Sequence, residues 1–112
     1  MKKHTIKFRA INRDIFDAIV SGKKKVETRA ASERYDAIEK GDTIVLVCGK
    51  RKIEKEVKSA KIYKSISALL KKYTPKQINP MCSTAKETRD MYYSFPGYKE
   101  KIKKFGIIAL EL

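Results

Sequence analysis

The chain has 112 residues, with 27 Lys and Arg against 13 Asp and Glu and a formal net charge of +14. Its length and 42% hydrophobic content suit one domain with one core and exclude two cores. The excess charge is no basic tail, because residues 1–60 hold 16 basic and 9 acidic side chains and residues 61–112 hold 11 and 4, so a polyanionic partner is expected for the folded body.

His4–Arg9 alternates Ile6 and Phe8 with Thr5, Lys7 and Arg9, the period of a strand with one apolar face. Asn12 stands as the N-cap of a following helix, with Asp14 in its first turn. Ile15, Phe16, Ile19 and Val20 recur at helical spacing, and Gly22 stops the run. Lys23–Arg29 predicts a short strand, with Val26 and Thr28 on one face and Lys25, Glu27 and Arg29 on the other. Tyr35 and Ile38 are the expected anchors of the polar stretch 30–42, which ends in a Gly41–Asp42 turn. Ile44–Cys48 reads as a buried strand and Gly49–Lys50 as a bend. Arg51–Tyr63 then reads as one long returning strand, carrying Ile53, Val57 and Ile62 and bulged near Ser59–Ala60. Ser65 caps a helix with Ile66, Leu69 and Leu70.

Pro75 and Pro80 predict an irregular Thr74–Cys82. Thr84 and Glu87 have capping-box spacing and open a helix through Met91, Tyr92 and Tyr93, broken at Phe95-Pro96-Gly97. After the basic stretch Lys99–Lys104, the almost continuously apolar Phe105–Leu112 predicts a central last strand. Strands interleaved with short helices predict an α+β fold, a small curved or closed sheet of five or six strands with helices outside it.

Cys48 and Cys82 are isolated and His4 is the only histidine, too few soft or imidazole ligands for a tetrahedral zinc site. No structural metal and no cofactor are expected. Two lone cysteines fit a reducing, cytoplasmic setting. MKKHTIKFRA lacks the apolar stretch of a secretory leader, and Ile44–Cys48 is far too short to span a bilayer, so no membrane association is expected. Nothing in the residues speaks to oligomeric state.

The stretch 16–29, FDAIVSGKKKVETR, places Lys25, Glu27 and Arg29 along one strand face with Lys24 at its mouth. Cations flanking a carboxylate keep it ionised, orient one another, and can receive a phosphate or a base edge. The plainer reading is a solvated strand face with a local ion pair.

The order Phe16, Ile19, Gly22, Lys24, Val26, Glu27 and Arg29, an F-x-x-I-x-x-G-x-K-x-V-E-x-R pattern, resembles the N-terminal signature of ASCH domains. Ile38-x-x-Gly41-Asp42, the Val57–Tyr63 strand leading to Leu69–Leu70, and the closing Tyr92/Tyr93, Gly97 and Gly106–Leu112 extend the resemblance to most of the chain. It implies a PUA-like β-barrel with a cleft beside the first helix and the GxKxVExR strand, in which RNA is bound. On this implication Lys24, Glu27 and Arg29 line the cleft, Lys23 and Lys25 add to its rim, and Tyr92 or Tyr93 offers a stacking surface.

A non-catalytic RNA-binding module is the favoured function. The alternatives are a hydrolase acting on RNA or a modified nucleoside, with Lys24 and Glu27 as its catalytic pair, and a DNA-binding or protein-interaction adaptor. One branch similar in length hydrolyses the acetyl amide of acetylcytidine with a Lys, a Thr and a Glu. Lys24 matches that Lys, but Glu27 stands at the Thr position. Pro80 falls near the Glu position, with Glu87 the nearest acid.

Overall fold

In the computed structural model, which describes all 112 residues, six strands form two three-stranded sheets. In chain order the elements are β1 (Lys3–Phe8), α1 (Arg13–Val20), β2 (Val26–Ala30), β3 (Thr43–Cys48), β4 (Arg51–Glu56), β5 (Ser59–Tyr63), α2 (Ile66–Leu70), α3 (Pro75–Ile78), α4 (Ala85–Ser94), α5 (Tyr98–Phe105) and β6 (Ile107–Glu111). One sheet has the order β1-β3-β4, with β1 parallel to β3. The other has the order β2-β6-β5 and is antiparallel throughout. The fold is α+β and consistent with the PUA-like class, but no closed barrel forms.

The barrel stays open because side chains occupy the edge that a closing strand would need. The Leu112 amide donates to the Lys25 carbonyl and the Ala31 amide to the Gly106 carbonyl, so the odd-numbered residues of β2 face β6. The backbone groups of Val26 and Thr28 therefore point the other way. Lys24 Nζ donates to the Val26 carbonyl at 2.5 Å, and the Thr28 amide donates to Glu27 Oε1 at 3.1 Å. Arg29 Nη2 then reaches the Lys7 carbonyl of β1 at 3.4 Å. The edges of β1 and β2 are thus bridged by side chains, which leaves a cleft where a ladder would have been.

Five local readings need correction. Arg51–Tyr63 is two strands in different sheets, broken at Val57–Lys58, because Val57 is fully buried and its amide turns to the Asp42 carbonyl. Ile62, expected inside, is 46% exposed at the end of β5. Thr74–Cys82 is not wholly irregular, since Pro75 occupies the first turn of α3, where its missing amide costs nothing. Thr74 and Gln77 cap that turn reciprocally. The basic stretch after Gly97 is itself helical and forms most of α5, with Ile102 buried and the lysines turned to solvent. Asn12 does precede α1, but its side chain makes no capping bond, because a 3-10 turn at 10–12 already leads into the helix.

Two apolar clusters result, where the composition predicts one core, because β6 buries both of its faces. The first lies between the sheets and contains Ile6, Phe16, Ile19, Ile44, Leu46, Val57, Ile108 and Leu110, with Tyr35 packed against it. The second lies between the β2-β6-β5 sheet and helices α2–α5, around Tyr63, Leu69, Tyr73, Ile78, Tyr92 and Ile107. β6 contributes to both, which is why its sequence reads as continuously apolar. Gly106, with φ +83°, starts β6 against β5. A Cβ there would lie 2.5 Å from the Tyr63 carbonyl oxygen, so only glycine fits.

Candidate nucleic-acid interface

The cleft between β1 and β2 has a volume of about 350 Å³, within the range of ordinary ligand sites. β1 supplies Lys7, Phe8 and Arg9, β2 supplies Glu27, Thr28 and Arg29, and the loop after β2 supplies Arg34 and Tyr35. Helices on the far side close it with Ile78, Met91, Phe95 and Tyr98.

Lys24 and Glu27 lie at its base, 3% and 4% exposed. The Gly22 turn ends α1 and drops Lys24 inward, where Nζ also donates to the Ile78 carbonyl at the end of α3. Burial pulls the Lys24 ammonium below its ordinary range, while the Glu27 carboxylate, 3.7 Å from Nζ, holds it up. Glu27 Oε2 accepts from Arg29 Nε at 3.3 Å and Nη2 at 3.2 Å. Burial, the largest influence, would lower the Arg29 guanidinium, but Glu27 together with Tyr98 and Tyr35 turns the shift upward. Arg29 also lies 4.9 Å over the Phe8 ring, fixing the plane of its fork.

Around this base the wall is cationic and aromatic. Glu27 is the sole carboxylate of the lining, against Lys7, Arg9, Lys24, Arg29 and Arg34. Two of those cations are committed to Glu27, and Lys7, Arg9 and Arg34 form no ion pair. Arg34 lies 5.8 Å over the Tyr35 ring, and Phe95 meets Tyr98 edge-on at 5.1 Å. Desolvation raises the Tyr98 phenol, keeping it neutral.

Of the residues singled out from the sequence, Lys24, Glu27 and Arg29 come together here. Lys23 is exposed in a shallow hollow with Asp14 and Asp17, and Lys25 is exposed outside the cleft. Tyr92 is 1% exposed, stacks on Tyr98 at 6.5 Å, and shares a hydrogen bond with Thr28, so its ring is part of the core. Tyr93 is exposed and carries Lys99 over its ring, away from the cleft. Glu87 caps the start of α4, its Oε1 accepting from the Ser83 amide at 3.0 Å, and neither it nor Pro80 reaches the site.

Residues passed over complete the cleft: Lys7 and Arg9 flank Phe8 at the end of β1, Arg34 sits in the loop, and Phe95 and Tyr98 flank the Pro96-Gly97 break. Alternation marked Lys7 and Arg9 as outward-facing. Nothing local marked which outward face would be covered by helices from the far end of the chain.

Comparison with known proteins agrees with this architecture. The ASCH domain family matches residues 10–112. The crystal structure of hypothetical protein PH0355 superposes with a TM-score of 0.80 at 27% identity, covering 99% of this chain and 96% of that one. The solution structure of protein PF0455 from Pyrococcus furiosus superposes with a TM-score of 0.75 at 28% identity, covering 97% and 94%. No curated protein sequence matches. With nearly the whole chain matched, this protein belongs to the ASCH domain family.

Proposed function

We propose that this ASCH domain protein is a non-catalytic RNA-binding module whose cleft receives unpaired nucleotides. The family is linked to nucleic-acid and RNA-related function, and the carrying observation is the composition of the cleft. Five cations face one carboxylate that is already paired, so three cations remain for an anion. Tyr35, Phe95 and Tyr98 supply ring surface beside them, as single-stranded bases require.

The same geometry favours binding over hydrolysis. A general base needs a free lone pair and a nucleophilic amine needs to lose its proton. Glu27 Oε1 accepts from Thr28 and faces Lys24, Oε2 accepts twice from Arg29, and Lys24 is held by two carbonyls. Lys24 and Glu27 thus have structural partners at every polar atom. An adaptor for DNA or protein predicts that RNA fails to displace DNA in competition.

The test is titration of a short single-stranded RNA at about 150 mM salt into wild type and Arg9→Ala/Arg34→Ala. Loss of the pair is expected to weaken binding on the order of tenfold or more, about 1.4 kcal/mol per decade. Lys50→Ala/Lys52→Ala, which removes the same charge from exposed positions outside the cleft, is expected to change little. Equal losses in both variants would assign binding to the general field and remove the cleft from the reading.

A further inference from the structure

The cleft does not account for most of the positive charge. Between Val57 and Lys86 the chain carries seven lysines and no carboxylate, and α5 adds four more lysines against Glu100. All are exposed, none lines the cleft, and only Lys86 is in an ion pair, with Asp90 at 2.9 Å. The tertiary fold gathers part of this set. Gly106 packs against the Tyr63 carbonyl and the Ile62 side chain, so the last turn of α5 abuts the end of β5. Lys103 and Lys104 lead into this junction and Lys61 and Lys64 flank its β5 side, with Ile62 and Phe105 half-exposed there.

Lysines at the end of a helix can simply answer its dipole, which explains Lys103 and Lys104. It does not explain Lys61, which meets only the Tyr63 ring at 5.3 Å, or Lys64, and neither charge is balanced by a carboxylate. The residue type is informative as well. No arginine occurs between Arg51 and Arg89, or after Arg89. Lysine is a flexible point charge suited to phosphate oxygens, whereas the arginine fork is the usual reader of base edges. The cleft holds Arg9, Arg29 and Arg34, so the two surfaces differ in chemistry. A lipid surface fits less well. The apolar Tyr98, Ile102 and Phe105 of α5 share one side with Ile102 buried in the core, so only Ile62 and Phe105 are half-exposed here, too little for an inserting amphipathic face.

We infer that the β5–α5 face, centred on Lys61, Lys64, Lys103 and Lys104, is a second contact surface that holds the phosphodiester backbone of a folded RNA. It rests on the RNA reading of the cleft, which would take an unpaired segment of the same molecule.

The test compares wild type with Lys61→Gln/Lys64→Gln/Lys103→Gln/Lys104→Gln and with a charge-matched control, Lys2→Gln/Lys40→Gln/Lys50→Gln/Lys52→Gln. Each is titrated with a short single-stranded oligonucleotide and with a structured RNA of about 30 nucleotides, over a salt series. The β5–α5 variant is expected to bind the structured RNA at least about tenfold more weakly, with a log K against log [salt] slope shallower by about 3. Its affinity for the short oligonucleotide is expected to stay close to that of wild type. Equal losses in the control would make the effect one of net charge and overturn the inference. An unchanged β5–α5 variant alongside a weakened Arg9→Ala/Arg34→Ala would overturn it while the cleft reading stood. If neither variant weakens either RNA, both readings fall. Anionic vesicles that capture wild type but not the β5–α5 variant, with RNA binding unchanged, would reassign the face to lipid.

Discussion

The two apolar clusters are built differently, and the difference explains where a binding site can form. The cluster between the sheets is aliphatic and aromatic, with no polar side chain from β1 or β3 turned into it. The cluster beneath the helices holds Tyr63, Tyr73 and Tyr92, borders the Lys24–Glu27 pair, and forms the base of the cleft. Every polar group drawn into it has a partner: Tyr73 donates to Glu111 Oε2 at 2.5 Å, Tyr92 shares a hydrogen bond with Thr28, and Lys24 is held by two carbonyls and Glu27. Unpaired polar groups cost heavily in such surroundings. The first cluster therefore serves as scaffold, and the second trades some apolar contact for fixed charge at a site.

Substitutions can sharpen or break this contrast. The largest effect is expected in the scaffold: Phe16→Ala, fully buried between the sheets, should cost about 3–5 kcal/mol in chemical denaturation, with little selective effect on RNA affinity among folded molecules. Lys24→Met should cost about 3 kcal/mol, because it strands the Val26 and Ile78 carbonyls and leaves Arg29 as the only cation on Glu27. A neutral or stabilising result would mean that the second cluster tolerates apolar filling like the first. Tyr92→Phe keeps the ring packing but leaves the Thr28 hydroxyl without its partner, for a loss of about 1 kcal/mol read from the same denaturation curves.

The smallest effect is expected at Asp42, on the scaffold side. His4 Nε2 at 2.8 Å, then the Glu39 and Lys2 amides at 3.0 and 3.2 Å, hold its carboxyl down to about 2. A folded-state value below the unfolded 3.8 means that its stabilisation is present above about pH 4. It is lost as the pH falls toward 2. Thermal midpoints of wild type should drop across that interval more than those of Asp42→Asn, and parallel curves would show the contacts to be inconsequential.

Legibility in the sequence followed the range of the interactions. Ser65 and Thr84 were read as caps and accept from the Ala68 and Glu87 amides, because capping is settled within four residues. Val57 is buried as its place in the pattern predicts, but the strand break at Val57–Lys58 and the exposure of Ile62 escape it, because alternation cannot tell a continuing strand from one that crosses to a second sheet. At the site, Lys24, Glu27 and Arg29 are legible because the six successive positions 24–29 dictate their arrangement. Lys7, Arg34 and Tyr98 were not, since their meeting depends on contacts between β1, the loop after β2 and α5.

The sequence by itself determined the α+β class, the apolar faces of β1, α1 and β3, the central position of β6, the family resemblance and the basic character of the surface. Each of these follows from local periodicity, spacing or composition. The tertiary structure alone decided that the barrel stays open, that Tyr92 packs inward, and which lysines stand together. Those outcomes depend on backbone edges and helix faces meeting across the molecule, where burial and hydrogen-bond satisfaction outweigh any local preference.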